Sequence, residues 1–109
     1  MTDWQEKLQK EFQLAEQARA RNNEGQARVC ARRAAGIAIR EYLTRRGIRP
    51  PRTSSYDLLN LLKDDPLLSS DLKLIAEHLT LRVTEEFKLS VDADLVAEAK
   101  LLCDWLLKN

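Results

Sequence analysis

The sequence predicts an all-α fold: an antiparallel up-and-down bundle of four long helices, with one short helix in the middle crossover. Three observations predict it. Apolar residues recur at steps of three and four along most of the 109-residue chain. The alternation of apolar and polar residues that is typical of strands never extends beyond a few residues. Three Gly and three Pro, together with capping residues, divide the chain into five helical segments.

The length and composition indicate one ordinary globular domain. A chain of 109 residues is close to the commonest domain size, so residues 1–109 are expected to form a single domain. Hydrophobic residues make up 44% and charged residues 32%, which excludes a disordered chain. No apolar run approaches the roughly 18 residues of a membrane span. The acidic, amphipathic N-terminus differs from a signal peptide, so we expect a cytoplasmic protein with no membrane partner.

The first two segments predict long helices over about Asp3–Arg21 and Glu24–Arg46. Thr2 is the expected N-cap of the first helix, and residues 22–25 form the turn that follows it. Gly47 after two arginines predicts the end of the second helix, since Gly readily adopts the left-handed cap conformation. The second helix carries a narrow stripe of small residues that would let another helix approach closely; the stripe consists of Ala27, Ala31, Ala34, Ala35 and Ala38.

Two prolines in the connector over residues 48–55 prevent the second helix from continuing. A short third helix is predicted from about Tyr56 to Lys63, with Ser55 as its N-cap and four leucines that bury it. Asp64-Asp65-Pro66 ends this helix. The connector and the short helix together form the predicted middle crossover.

A fourth helix is predicted from about Ser70 to Glu86, capped by Ser69 or by Ser70 itself. After a short loop, a fifth helix is predicted from about Ala93 to Leu107, with Asp92 as its N-cap. Both carry apolar residues at helical spacing, so each presents one face to the core. Short connections between long helices favour antiparallel neighbours.

The two cysteines, Cys30 and Cys103, lie 73 positions apart, and each falls within an apolar helical stripe. Two buried free thiols in a reducing compartment are the favoured interpretation, and a disulfide is the alternative. Because the chain has no CxxC pair and no Cys/His cluster, we predict neither a metal site nor a bound cofactor.

The charge is distributed very unevenly along the chain. Residues 19–52 carry ten Arg, no Lys and two acids, a net charge of +8, whereas residues 1–18 carry −2 and residues 53–109 carry −5. Exclusive use of Arg favours two-pronged contacts to phosphate or carboxylate. The candidate phosphate- or partner-binding residues on the second helix are Arg28, Arg32, Arg33, Arg40 and Arg46.

A helical wheel places Arg28, Arg32 and Arg46 within about 40° of one another, and the other two candidates about a third of a turn away. Three interpretations stay open. The arginines contact the phosphates of nucleic acid or a nucleotide, they pair with acids in the last third of the same chain, or they pair with a second copy.

The single histidine, His78, is the other residue with potential chemistry. Its neighbour Glu77 does not face it on a helix, whereas Arg82, four residues on, does. A cation at Arg82 would oppose protonation of the imidazole. His78 and Arg82 are therefore secondary functional candidates, and no residue is predicted to be catalytic.

Three stretches resemble the HEPN superfamily, small helical bundles found in nucleotide-binding and RNA-cleaving proteins. Ala27–Leu43 resembles the family's Ala-rich second helix, with Arg40 where a basic residue is common and Gly36 in place of an acid. Ser55–Leu62 resembles the pattern His-Asp-Leu-x-x-Leu-Leu, with Tyr56 in place of His. The last two predicted helices resemble the family's C-terminal hairpin.

The resemblance implies a member without ribonuclease activity. Active HEPN ribonucleases carry an Arg followed after four to six residues by a His, and the matching positions after Arg82 hold Phe87, Lys88 and Leu89. Such members are typically dimers, and many bind nucleotides or nucleic acid or work with a nucleotidyltransferase-type protein. The resemblance therefore implies a homodimeric binding module with a nucleotidyltransferase-type partner, whose Arg-rich second helix contacts RNA, a nucleotide or an acidic protein. A plain protein assembly module is the alternative, and a ribonuclease with an atypical site around His78 and Arg82 is the remote one.

Overall fold

In the computed structural model, which describes residues 2–81 and 94–108, every regular element is an α-helix. Helix α1 spans Asp3–Ala20, α2 spans Glu24–Arg45, α3 spans Ser55–Leu62, α4 spans Ser70–Thr80 and α5 spans Leu95–Lys108. These ranges contain no strand, which confirms the all-α prediction. The radius of gyration, 13.4 Å, is that of a folded chain of this length.

Helices α1 and α2 both end at a residue in the left-handed conformation. Asn22 has a φ of 60° and Gly47 a φ of +75°. After each of them, the next backbone N–H donates to the carbonyl five residues earlier, at 2.8 Å after α1 and 2.9 Å after α2. This pattern satisfies carbonyls that the helix itself leaves without partners. The predicted turn at Asn22 and Asn23 and the predicted stop at Gly47 are confirmed, whereas Gly25, also predicted in the turn, lies within α2.

Helix α2 lies at the centre of the molecule, because α1, α3, α4 and α5 all pack against it. Its small residues make this possible, since alanines allow neighbouring helices to approach closely. The predicted stripe is fully buried, and so are the larger Ile39 and Tyr42. The stripe that the sequence indicated is therefore the axis around which the core forms.

Helix α3 begins one residue earlier than predicted, at Ser55 rather than Tyr56. Ser54, and not Ser55, is the N-cap, and its Oγ accepts from the backbone N–H of Asp57 at 3.2 Å. Two adjacent serines are chemically equivalent as caps, so the sequence could not decide between them. Packing decides, because Ser55 lies against Gly36 of α2.

Helix α4 ends at Thr80, so the predicted helix does not continue through Leu81, and the predicted part from 82 to 86 lies outside the described residues. Leu81 is extended, with φ −66° and ψ 140°. The Leu79 carbonyl accepts Nε of Arg32 at 2.7 Å, and the Leu81 carbonyl accepts a second Arg32 nitrogen at 3.5 Å. Ser69 caps the start of α4, as one of the two predicted choices.

Helix α5 begins at Leu95, two residues after the predicted start. Asp94 performs the capping, since its Oδ1 accepts from the backbone N–H of Ala97 at 3.1 Å. Asp92, the predicted cap, lies outside the described residues. The two aspartates stand two positions apart and both suit a cap, so only the packed structure selects one.

Both cysteines are buried free thiols, which confirms this part of the favoured interpretation and not the disulfide. Burial raises the pKa of the Cys103 thiol to about 12. Its Sγ donates to the Ala34 carbonyl at 3.8 Å, so it serves as a packing group between α5 and α2. None of the helices within residues 2–81 and 94–108 combines the length and the apolar character that crossing a bilayer requires.

Candidate phosphate-binding surface

The five candidate arginines do not form one patch. Arg28 and Arg46 share one side of α2, as the helical wheel predicts, but they are 18 residues apart. At a rise of about 1.5 Å per residue, that separation is about 27 Å along the axis. Arg28, Arg32 and Arg33 lie together in the N-terminal half of α2, while Arg40 and Arg46 lie in its C-terminal half.

Arg32 serves the structure of the protein. Its guanidinium donates to the carbonyls of Leu79 and Leu81, where α4 ends. A cation at a helix C-terminus interacts favourably with the helix dipole and satisfies carbonyls that have no partner within the helix. Burial lowers the pKa of Arg32, and the nearby Tyr56 phenol opposes that shift. Arg32 is therefore the C-terminal cap of α4.

Arg40 has a similar role at the connector between α2 and α3. One of its terminal nitrogens donates to the Pro51 carbonyl at 3.0 Å, and the other donates to the Thr53 carbonyl. The rigid fork of a guanidinium suits two neighbouring carbonyls of an extended segment. Arg40 thus fixes the connector against α2 and has fewer donors left for a ligand.

Arg46 is engaged with Tyr42, one turn earlier on α2. It donates to the Tyr42 hydroxyl, and its guanidinium carbon lies 5.1 Å from the centre of that ring. The Tyr42 hydroxyl in turn donates to Asp65 at 2.9 Å, and burial raises the pKa of this phenol. The chain Arg46–Tyr42–Asp65 joins the end of α2 to the segment after α3.

Arg28 and Arg33 differ from the other three candidates. Neither forms a hydrogen bond or an ion pair with any residue in the ranges 2–81 and 94–108. Arg33 is exposed and Arg28 half-buried, and Val29 between them is 36% exposed. These two side chains can meet an anionic partner without breaking a described contact.

The sequence left open that the candidate arginines pair with acids in the last third of the chain. Within the described part of that third, they do not. None of the five forms an ion pair with an acid in residues 53–81 or 94–108. The arginine that does so is Arg19 at the end of α1, which lies 3.0 Å from Asp94 and 2.6 Å from Glu24. The two acids raise the pKa of Arg19, with the Glu24 hydrogen bond as the largest cause.

His78 has a partner that the sequence did not reveal. Its Nδ1 lies 2.7 Å from Oε1 of Glu98 on α5, with both side chains mostly buried. An ionised carboxylate can only accept, so Nδ1 is the donor and the contact fixes the ring orientation. The sequence contained a signal for this contact. His78 lies one position before the core residue Leu79, and Glu98 lies one position before the core residue Ala99. Arg82, the second residue of that prediction, lies outside the described residues.

A second feature missed by the sequence reasoning is Tyr56. Tyr42, the aromatic residue of α2 among the arginines, is buried, while Tyr56 on α3 is 37% exposed and interacts electrostatically with Arg32. In the described part of the chain, no three His, Cys, Asp or Glu side chains are placed to hold a metal ion.

No protein-family model matches this chain, and neither does any curated protein or solved structure. The resemblance to the HEPN superfamily therefore rests on the sequence motifs alone.

Proposed function

We propose that this protein is a non-catalytic, HEPN-like binding module in which α2 contacts the phosphate groups of nucleic acid through Arg28 and Arg33. One observation carries the proposal. Three of the five candidate arginines have structural partners, whereas these two have none within residues 2–81 and 94–108. Guanidinium groups that have no partner among the described residues are well suited to bind phosphate.

The choice of Arg at both positions supports phosphate as the ligand group. A guanidinium presents parallel N–H donors that match two phosphate oxygens, and it keeps its charge at any physiological pH. The engaged neighbour Arg32 holds α4 against the same part of α2. Arg28 and Arg33 therefore project from a rigid helix, which lowers the entropic cost of binding.

The wider assignment belongs to the same proposal. Helix α2 packs against the four other helices, which is compatible with an antiparallel up-and-down bundle containing α3 in its middle crossover. The HEPN resemblance implies a homodimer and a nucleotidyltransferase-type partner. The two free buried thiols fit a cytoplasmic location, where thiols stay reduced.

A groove between α1 and α5 favours a second candidate, a plain assembly module. Leu8 and Phe12 of α1 line one side and Leu107 of α5 lines the other. The groove measures about 540 Å³ and continues past Trp4 at the start of α1. Open apolar grooves of this kind are common at protein–protein contacts.

The test is fluorescence anisotropy of labelled single-stranded RNA and duplex DNA, titrated with the protein at several salt concentrations. We expect binding that weakens steeply with salt, because phosphate contacts release counterions. Changing both Arg28 and Arg33 to Ala should weaken binding at low salt. It should also reduce the slope of log K against log salt by roughly 1.4 on a single strand, about 0.7 for each lost contact.

The matched control changes Arg49 and Arg52 to Ala. Both are exposed residues of the connector, at the other end of α2, and the change removes the same charge. An equal loss of affinity in the control would show that net charge, and not this surface, governs binding. If the unaltered protein binds neither nucleic acid but forms dimers in analytical ultracentrifugation, the assembly module is the correct function.

A further inference from the structure

The first turn of α3 packs against α2 at Gly36, one turn after Arg32. A Cβ built on Gly36 would lie 2.2 Å from Ser55 Oγ and 2.8 Å from Ser55 Cβ. Gly36 is therefore the point where α3 meets α2. Tyr56, the next residue of α3, lies within electrostatic reach of Arg32, one turn before Gly36 on α2.

Around α2, four residues before Gly36 lie on one continuous arc. At 100° per residue, Arg28, Arg32, Val29 and Arg33 follow one another over about 140°, and Gly36 lies near the middle of that arc. Along the axis these four residues occupy about 7.5 Å. The exposed Tyr56 ring, which interacts with Arg32, therefore lies near the arc that also holds the two unengaged arginines.

Tyr42 cannot supply an aromatic face for a ligand. It is 1% exposed, and its hydroxyl is engaged with Asp65. Tyr56 is 37% exposed, and its hydroxyl has no hydrogen-bond partner among the described residues. A partly exposed tyrosine beside arginines is the combination that binds unpaired nucleotides, because every base presents a π-face.

We propose that Tyr56 stacks on a base of single-stranded nucleic acid whose neighbouring phosphates contact Arg28 and Arg33. This inference rests on the proposed function and adds the form of the ligand, a single strand with accessible bases. A paired duplex keeps its bases stacked on one another, so it offers phosphates to the arginines but no free base face to Tyr56.

The test compares three labelled ligands of about twelve nucleotides: oligothymidylate, an abasic strand with the same number of phosphates, and a duplex. We expect the unaltered protein to bind oligothymidylate most tightly. Tyr56→Leu should weaken oligothymidylate binding about tenfold, the effect of losing one stacked base, and leave abasic-strand binding unchanged. Tyr56→Phe keeps the ring and should retain the affinity.

The outcomes separate the two proposals. If Arg28→Ala with Arg33→Ala weakens all three ligands but Tyr56→Leu changes none, the phosphate surface stands and stacking is wrong. If Tyr56→Leu weakens abasic and thymidylate strands equally, Tyr56 acts through the structure of the surface and stacking is again wrong. If the unaltered protein binds none of the ligands, both proposals fall. Equal thermal stability of Tyr56→Leu and Tyr56→Phe confirms that each variant is folded.

Discussion

At the scale of single residues, Gly36 shows how one position decides the placement of a helix. It lies within α2, where Gly is about 1 kcal/mol less favourable than Ala. The cost is tolerated because the Ser55 backbone approaches so closely that a Cβ would lie 3.2 Å from Ser55 Cα. The close contact brings α3, and with it Tyr56, onto α2.

We expect Gly36→Ala to destabilise the protein by about 1–3 kcal/mol, because the added methyl group forces α3 away from α2. The measurement is the free energy of unfolding in urea. Gly25→Ala is the matched control, since a Cβ there has its nearest neighbour at 3.9 Å and the residue is also helical. The control should be neutral or slightly stabilising. Equal stability of the two variants would contradict the close packing at Gly36.

At the scale of elements, Arg32 determines where α4 ends. Periodicity favours a helix that continues past Thr80, but Leu81 is extended, and the carbonyls of Leu79 and Leu81 accept from a side chain that lies 47 and 49 residues earlier in the chain. Local sequence has no information about such a contact. The same lesson applies to Arg40, which organises the connector through two carbonyls.

We expect Arg32→Met to lower the free energy of unfolding by about 1.5–3 kcal/mol, the value of hydrogen bonds made by a charged group. Arg33→Met, the adjacent change without a described partner, should stay within about 0.5 kcal/mol of the unaltered protein. Urea unfolding gives both values, and amide exchange at the end of α4 should accelerate in Arg32→Met alone. A large loss in Arg33→Met would mean that Arg33 has a structural role.

At the scale of the whole molecule, polar contacts join helices that are distant in sequence. Arg19 at the end of α1 lies 3.0 Å from Asp94 at the start of α5, and Lys100 of α5 lies 3.0 Å from Glu16 of α1. His78 with Glu98 joins α4 to α5. Each of these contacts joins two partly exposed side chains. It therefore fixes the arrangement of the helices more than it adds to the free energy of unfolding.

Asp94 makes one of these contacts dependent on pH. The backbone N–H of Ala97 holds the pKa of the Asp94 carboxyl below its ordinary value of 3.8, and Arg19 lowers it further. A lowered pKa in the folded state contributes stability that is complete above the unfolded value and is lost as pH falls through the folded value. Asp94→Asn should therefore reduce stability at pH 7, and the difference should close below about pH 4.

The measurement is thermal unfolding of both proteins between pH 7 and pH 2. Asn remains a good N-cap, so the variant isolates the charge from the cap. Asp104→Asn makes the same change later in α5, where no described ion pair exists, and should not lower the melting temperature at pH 7. If the difference in melting temperature between Asp94→Asn and the unaltered protein did not change with pH, the ionised carboxylate would not be the source of that difference.

The sequence by itself determined the helical class, the five segments, the stop at Gly47 and the buried alanine stripe. These follow from periodicity and capping, which act over three to seven residues. Only the tertiary structure decided which arginines have partners among the described residues and which aromatic residue lies near Arg32. Arg32, Tyr56 and Glu98 acquire their neighbours across 20 to 49 positions through helix packing. Such contacts depend on how every helix packs around α2, which a local sequence pattern does not determine.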